Sequence, residues 1–282
     1  MRRRDFLRWG ALAAAGGGAA TVGYTLFVEP HWERVVEVEM PIAGLPAALV
    51  GRRLVQLSDI HVGPQVSDAY LVEAFGRAAA LAPDIVVLTG DFISYRHERG
   101  ASQFAQLRDV LAHFPRGRLA TLAILGNHDY GRAWLEPSVA TQVVAEAERA
   151  GMRVLRNEVA TVAGLDVVGV DDLWARRSNP IAALEQRASD AAVVLCHNPD
   201  AVDFPWWGDY RGWVLSGHTH GGQCKAPFLP PPLVPVHNRR YVAGEVMTRT
   251  GRRLYINRGL GHLTQARFNV RPEITAFTLR AG

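Results

Sequence analysis

Five segments of this chain carry side chains that bind divalent metal ions, and each follows a run of apolar residues. Asp, His and Asn supply the oxygen and nitrogen donors that suit Mn, Fe or Zn. The segments are Asp59-Ile60-His61, Gly90-Asp91, Gly126-Asn127-His128-Asp129, His197, and Gly217-His218-Thr219-His220. Two divalent ions held close together can clamp both the attacking and the leaving oxygen of a phosphate ester. If the segments meet in space, they predict such a site.

The apolar runs before these segments predict the strands that position them. They lie at 54–58, 84–89, 122–125, 193–196 and 213–216. In parallel α/β folds, functional groups collect at the carboxyl ends of the strands. We therefore expect five strand ends to converge on one edge of the structure.

The remaining elements predict the fold class. Helical patterns at 67–81, 101–114, 134–150 and 180–188 alternate with the strands, and Ser67 is a suitable N-cap. An alternating edge strand is predicted at 35–42, short strands with glycine turns at 153–170, and further strands near 241–247, 253–257 and 274–280. Strand–helix alternation followed by strands alone favours an α/β fold in which a two-sheet β-sandwich is flanked by helices. Residues 29–282 are long enough to form one such catalytic domain.

The order of the metal-binding segments resembles the calcineurin-like metallophosphoesterase superfamily. Asp-x-His, Gly-Asp, Gly-Asn-His-Asp, a lone His and Gly-His-x-His follow one another between residues 59 and 220. The segments 57–61, 216–223 and 257–261 further resemble the exported YkuE/YaeI-type branch. This resemblance implies an αββα fold. It also implies cleavage of phosphodiester or pyrophosphate bonds by a hydroxide that two metal ions activate.

The resemblance also implies which residues bind the two metal ions. Asp91 is expected to bridge both ions, because a carboxylate offers two oxygens and a full negative charge. The other ligands are Asp59, His61 and His220 for the first ion, and Asn127, His197 and His218 for the second. Mn, Fe or Zn would suit these donors, and Mn is favoured.

His128 is expected to act on the substrate rather than on the metal. In the resembled family the equivalent histidine protonates or stabilises the leaving oxygen, a role that suits a side chain with a pKa near neutrality. Asp129 either orients His128 or caps the next helix. Arg258 is either a phosphate clamp or one partner of a salt bridge, and His262 is a further candidate near the site.

The N-terminal 28 residues resemble a twin-arginine export signal. Consecutive arginines at 2–4, then Phe6-Leu7-Arg8, precede an Ala/Gly-rich apolar stretch that reaches Val28. We expect export by the twin-arginine machinery to the periplasmic or extracellular side. The segment is either cleaved or kept as a membrane anchor, because residues 9–28 are about long enough to span a bilayer. A basic N-terminus of a cytosolic protein is the alternative.

The composition indicates which classes of partner the protein can bind. A pI near 9.4 and a formal charge of +4 favour acidic partners, such as phosphates or an anionic membrane surface. The basic residues are scattered rather than gathered into one stripe, which argues against nucleic acid. The two cysteines, Cys196 and Cys224, have no metal-type spacing and either pack in the core or form a disulfide. The protein is expected to be a monomer.

The substrate class is less well defined by the sequence. Protein Ser/Thr phosphatases extend Gly-Asp into Gly-Asp-x-x-Asp-Arg-Gly, but here Ser94 and Tyr95 stand at the places of the second Asp and its Arg, which argues against a phosphoprotein substrate. The Pro-rich, apolar segment 227–234, with Trp206 and Trp207, either lines a lipid-binding groove or is a packed connector. Related exported enzymes act on UDP-2,3-diacylglucosamine, so a lipid-linked or cell-envelope substrate is expected. A broad phosphomonoesterase and a non-catalytic metal-binding scaffold are the alternatives.

Overall fold

A computed structural model of the chain describes residues 16–95 and 100–282. Residues 16–28 are helical and lead into a short 3-10 turn at Glu29–His31. Among the described residues, no helix is both long and apolar enough to cross a membrane. Residues 1–15 of the expected export signal lie outside the described residues, so its cleavage or anchoring stays a prediction.

Twelve strands form two mixed sheets of six strands each. In spatial order the first sheet contains β1 (Arg34–Ile42), β12 (Glu273–Ala281), β2 (Arg53–Leu57), β3 (Ile85–Thr89), β4 (Ala120–Ile124) and β5 (Arg153–Val154). The second contains β10 (Gly244–Met247), β11 (Arg253–Ile256), β9 (Trp213–Ser216), β8 (Ala192–Cys196), β7 (Leu165–Val170) and β6 (Glu158–Val162). Strands β2 to β5 run parallel to one another, as do β7, β8, β9 and β11.

Helices cover the outer face of each sheet. The first sheet packs against α1 (Asp68–Ala80), α2 (Gly100–Leu111) and α3 (Pro137–Arg149), and the second against α4 (Pro180–Glu185). The layers therefore follow the order helix, sheet, sheet, helix. This arrangement confirms the predicted α/β fold, a two-sheet sandwich flanked by helices.

The buried strands show why the central layers form. In β3, Ile85 and Val87 pack between the two sheets, whereas Val86 and Leu88 face the helices. Because successive strand side chains point to opposite faces, a strand that is covered on both sides must be apolar throughout. In β8 the same alternation places Cys196 in the outer core, under α4. Cys196 thus has the packing role predicted for it, and both cysteines are free thiols in the structure.

Several helix boundaries differ from those predicted. Helix α3 begins at Pro137 rather than at residue 134, because Ala133 and Trp134 have positive φ angles of 51° and 62° that interrupt the helix. Helix α2 ends at Leu111 rather than at 114, since the chain turns before Pro115. Helix α4 ends at Glu185 rather than at 188, because the Ala188 N–H donates to the Asp166 carboxylate instead of continuing the helix.

Candidate metal centre

The carboxyl ends of β2, β3, β4, β8 and β9 meet at one edge of the sandwich. His197 Nδ1, after β8, lies 2.7 Å from the carbonyl oxygen of Thr89 at the end of β3. The backbone N–H of His218, after β9, donates to both carboxylate oxygens of Asp59, after β2, at 3.1 Å. These contacts bring together all seven residues predicted as ligands, each at most 5% exposed: Asp59, His61, Asp91, Asn127, His197, His218 and His220.

Six of the seven form two groups whose candidate ligand atoms lie within 4.8 Å of one another. One group contains Asp59, His61 and His220, and the other contains Asp91, His197 and His218. Asp91 also faces the first group, because its Oδ2 lies 3.5 Å from His61 Nε2 and 3.3 Å from His197 Nε2. A carboxylate between two such groups is in the position that a bridging ligand requires.

Backbone carbonyls fix which nitrogen of each histidine faces the site. The Nδ1 atoms of His61, His197 and His220 lie 3.4, 2.7 and 3.2 Å from carbonyl oxygens, which only accept hydrogen bonds. Each Nδ1 therefore carries a hydrogen. The Nε2 atoms of His61 and His220 present lone pairs to the site, and that of His197 does so once its second proton is lost. For His218 the nitrogens exchange roles, since its Nε2 lies 2.9 Å from the carbonyl oxygen of Pro235. Such hydrogen bonds are what orient the histidine ligands of metal sites.

One buried polar atom supports the fit of a cation. Asn127 Oδ1 has no hydrogen-bond partner within the described ranges, although the residue is 1% exposed. A buried acceptor without a partner costs about 1–3 kcal/mol. A divalent cation beside it would remove that cost. The donors are three carboxylate or amide side chains and four imidazoles, which fit two ions such as Mn, Fe or Zn.

The backbone is strained at the candidate ligands. Asp59, His61, Asp91, His218 and His220 all have positive φ angles, between 47° and 71°. A left-handed conformation costs a residue with a side chain roughly 1–2 kcal/mol. Such strain persists where the surrounding structure enforces it, commonly at functional sites. Here it turns the side chains that follow the strands toward one point.

Gly90 explains how β3 can approach the other strand ends. A Cβ atom at this position would lie 2.6 Å from the backbone N of Gly126 and 2.7 Å from His197 Nδ1. Its φ angle of +90° also disfavours any larger residue. Only glycine therefore lets Asp91 reach its position between the two groups.

The charges within the site place both carboxylates and His61 in their metal-binding forms. Burial by itself raises the pKa of Asp91, but His197, His128 and His61 outweigh burial and hold that pKa well below its usual range. The pKa of Asp59 is lowered in the same way, mainly by His220. Burial lowers the pKa of His61 to about 3. These carboxylates are therefore ionised and His61 is neutral at neutral pH.

His197 differs from the other histidines of the site. Its burial lowers its pKa, but the nearby carboxylate of Asp91 outweighs burial and raises the pKa well above the usual value. For His218, by contrast, burial lowers the pKa to about 3, with the positive charge of His197 adding to the effect. Without metal, the proton of the second group therefore resides on His197.

His128 lies at the edge of the site and remains partly accessible. Its backbone N–H donates to Asp91 Oδ1 at 2.9 Å, and its ring centroid lies 5.1 Å from that of His61. It belongs to neither of the two groups. The structure thus places His128 beside the candidate ligands, with its side chain available to a substrate.

Asp129 has a structural role that the sequence did not predict in full. Its carboxylate accepts hydrogen bonds from four backbone N–H groups, those of Asp91, Phe92, Ile93 and Gly126, at 2.8–3.3 Å. The bond from Gly126 closes the 3-10 turn Asn127–Tyr130. The other three fix the loop after β3. No hydrogen bond joins Asp129 to the His128 ring among the described residues.

Two further candidates lie outside the metal groups. Arg258 forms an ion pair with the buried carboxylate of Glu273, which corresponds to the salt-bridge alternative. His262 is buried, and its Nε2 lies 2.8 Å from the carbonyl oxygen of Gln65. Neither residue is part of the two candidate groups.

Two tryptophans beside the site were missed in the sequence. The rings of Trp174 and His218 are perpendicular, with centroids 4.3 Å apart. The ring centroids of Trp134 and Trp174 lie 4.6 Å apart. Both tryptophans are partly exposed. Trp174 follows β7, a parallel strand next to β8, so its place after a strand end is the same signal that marked the ligands.

Comparisons with known proteins agree with this arrangement. The family model for calcineurin-like phosphoesterases matches residues 52–222. Phosphodiesterase YaeI of Escherichia coli (strain K12) is 32% identical over 288 residues, covering 99% of each chain. Metallophosphoesterase YkuE of Bacillus subtilis (strain 168) is 34% identical over 306 residues, covering 100% of this chain and 98% of the relative. UDP-2,3-diacylglucosamine pyrophosphatase LpxG of Chlamydia trachomatis is 28% identical over 302 residues, covering 88% and 89%.

Proposed function

Because this chain belongs to the calcineurin-like phosphoesterase family, as its motifs predicted, we propose that this metal-dependent phosphoesterase acts on a lipid-linked or cell-envelope substrate. The substrate bond would be a phosphodiester or a pyrophosphate. The position of Asp91 between two buried groups of ligand-type side chains is the observation that carries the proposal.

Each group of ligands would hold one divalent ion. Asp91 would contact both ions, and the remaining ligands would be Asp59, His61 and His220 on one side and Asn127, His197 and His218 on the other. When bound, the two ions would activate water as a nucleophile and neutralise charge on the phosphate. Mn is our preferred metal, because three of the seven donors are oxygen atoms of carboxylate or amide groups.

The chain's own residues would carry out the remaining chemistry. His128, anchored through its backbone to Asp91, would donate a proton from its imidazole to the leaving oxygen. An imidazolium is an acid of suitable strength near neutral pH. Asp129 would keep Asp91 in place through its bonds to the loop after β3.

Two features beside the centre support a substrate with a ring and acyl chains. Trp174, packed against His218 and Trp134, offers an aromatic surface that suits a nucleobase. The loop 226–235 carries Phe228, Leu229 and Leu233 largely exposed, and its last residue contacts His218 through the Pro235 carbonyl. The similarity to LpxG adds support for a diacylated nucleotide sugar such as UDP-2,3-diacylglucosamine.

A substrate screen of the Mn-loaded protein tests this proposal. It would compare UDP-2,3-diacylglucosamine, bis-p-nitrophenyl phosphate and p-nitrophenyl phosphate. We expect turnover of both diester-type substrates, with the larger kcat/KM for the diacylated one. A higher kcat/KM for the monoester would instead identify a broad phosphomonoesterase. Metal binding without turnover of any substrate would identify a scaffold.

We further propose that the enzyme is exported through the twin-arginine pathway. Replacement of Arg3 and Arg4 by Lys should leave folded protein in the cytoplasm, because the arginine pair is read by the export receptor. Fractionation of cells that express each form measures this. Unchanged export would identify residues 1–28 as a different kind of signal or as a simple anchor.

A further inference from the structure

An open pocket of about 560 Å³ lies between the N-terminal helical segment and the loop 226–235. Tyr24 and Glu29 contribute one wall, and Leu229, Pro230 and Pro231 contribute the opposite one. Backbone hydrogen bonds join both segments to residues 267 and 268. The Arg267 N–H donates to the Thr25 carbonyl oxygen, and the Lys225 N–H donates to the Phe268 carbonyl oxygen. No candidate metal ligand lines this pocket, although Gly221, next to His220, does. It is therefore a separate cavity behind the metal centre.

The pocket carries an excess of positive charge. Four cationic side chains line it: Arg34, Lys225, Arg258 and Arg271. The buried Glu273 pairs with Arg34 and Arg258. Glu29 accepts hydrogen bonds from the backbone N–H groups of residues 269 and 270. Four cations against two carboxylates leave a balance of +2.

Lys225 is the most available of these cations. It is the only lysine among the 31 Lys and Arg residues of the chain. Its side chain is partly buried in the pocket wall, and its ammonium group has neither a hydrogen bond nor an ion pair within residues 16–95 and 100–282. An unpaired ammonium group among other cationic side chains favours an anionic ligand. Arg271 donates only to backbone carbonyls, so its charge also remains uncompensated.

Exposed apolar side chains surround this charged pocket. Phe228, Leu229 and Leu233 lie on the loop wall, and Phe27 lies on the helical segment, all of them largely exposed. Trp32 is 48% exposed, with the Arg271 guanidinium stacked 3.9 Å from the centre of its ring. Apolar and aromatic side chains around basic ones are typical of surfaces that enter the interface of an anionic bilayer.

We propose that this pocket binds the phosphate headgroup of an anionic membrane phospholipid. Lys225 and Arg271 contact the phosphate, and the apolar rim of Phe27, Phe228, Leu229 and Leu233 enters the acyl region. Charge complementarity favours this occupant, and so does the position of the helical segment, which brings the chain from residue 16 directly to the pocket. Because no candidate metal ligand lines the pocket, binding of a headgroup there does not require the chemistry at the metal centre.

Vesicle binding by the full chain tests the pocket. We expect Lys225→Gln to weaken binding to phosphatidylglycerol-containing vesicles about 5-fold, whereas Lys225→Arg keeps most of it. Arg153→Gln is the control, because it removes the same charge at a distant position. Arg153 lies in β5, at the opposite edge of the first sheet from Arg34 in β1. This variant should weaken binding less than twofold. Equal losses for Lys225→Gln and Arg153→Gln would overturn the proposal, because general attraction by net charge would then suffice. Asp91→Asn should bind the vesicles normally, which separates this site from the enzymatic function.

The unsubstituted protein offers a second measurement that does not depend on any variant folding. The rate at which a soluble acylating reagent modifies the Lys225 amine can be followed by mass spectrometry of its peptide. Vesicles with phosphatidylglycerol should slow this reaction about 5-fold or more relative to vesicles of phosphatidylcholine alone. Equal rates with both vesicles would overturn the proposal. Equal protection by soluble glycerol phosphate would also overturn it, since the pocket would then bind free phosphate rather than a membrane.

Discussion

The Nε2 atoms of His61 and His220 lie only 3.0 Å apart, although each ring holds its hydrogen on the opposite nitrogen. Two lone pairs therefore point at the same small volume. The carboxylate of Asp59 faces it as well, with Oδ1 3.3 Å from His220 Nε2. Three electron-pair donors at such distances repel one another unless a proton or a metal ion lies among them. The pair thus marks the first metal position more clearly than any one residue does.

Protons should compete more strongly for the second metal group than for the first. His197 has a raised pKa, so below that pKa the second ion must displace a proton to bind, and its affinity falls about tenfold per pH unit. In the first group, the His61 pKa of about 3 means that this residue does not compete for protons near neutral pH. We expect dialysis at successively lower pH, from 8 to 5, to remove the ion of the second group before that of the first. The metal content should therefore pass through one ion per chain.

The variant Asn127→Ala identifies the ion that is lost. It removes a ligand of the second group only, so it should reach one ion per chain already at pH 8. Simultaneous loss of both ions from the unsubstituted protein as the pH falls would contradict the assignment.

The role of His128 as an acid predicts a dependence on the leaving group. An alkoxide needs a proton to depart, whereas p-nitrophenolate does not. His128→Ala should slow hydrolysis of an alkyl diester by about 10²–10⁴-fold and slow that of a nitrophenyl diester clearly less, with both metals retained. The ratio of kcat/KM values for the two esters isolates this effect. An equal decrease for both esters would make His128 an electrostatic clamp.

Asp129→Asn should destabilise the loop that positions Asp91. The amide would place N–H donors against backbone N–H groups that now donate to the carboxylate, at a cost of about 1–3 kcal/mol in the free energy of unfolding. Thermal unfolding in EDTA measures this without a contribution from metal binding. Asp209→Asn is the matched control, because the Asp209 side chain is 96% exposed. Equal unfolding temperatures for the two variants would argue against the role of Asp129.

Trp174→Ala tests the aromatic surface beside His218. If Trp174 stacks on the base of a nucleotide substrate, its loss should raise KM for UDP-2,3-diacylglucosamine by about 5-fold or more, with kcat nearly unchanged. Trp206→Ala is the control, because Trp206 stacks on Phe204 and, within the part of the chain that the structure describes, makes no ring contact or hydrogen bond with a candidate ligand. Identical KM values for the Trp174 and Trp206 variants would show that the base does not bind there.

The ligand residues could be predicted from the sequence because each follows a buried strand. Strand ends are local features, and parallel topology then brings them to one edge of the sheet. Trp174 carries the same signal after β7, but tryptophan is not a ligand type and it was missed. The alternation of apolar and polar residues at 35–42 also predicted an edge strand. The structure confirms it, because β1 lies at the edge of the first sheet and its side chains alternate in burial.

Other features depend on contacts between distant parts of the chain. Strand β12, at the C-terminus, lies between β1 and β2, and no local pattern specifies this pairing. Three of the four hydrogen bonds of Asp129 require two loops that are separated by more than 30 residues to meet. The start of α3 depends on the positive φ angles of Ala133 and Trp134, which composition does not predict.

The central claim is that Asp91 joins two metal ions in a hydrolytic site, and one comparison tests it most directly. Metal content and turnover of bis-p-nitrophenyl phosphate would be measured for the unsubstituted protein, Asp91→Asn and Asp209→Asn. We expect two ions per chain and normal kcat for the unsubstituted protein and Asp209→Asn. Asp91→Asn should lose at least one ion and nearly all activity, because the charge that offsets two adjacent cations is gone. Two bound ions and a near-normal kcat in Asp91→Asn would contradict the account.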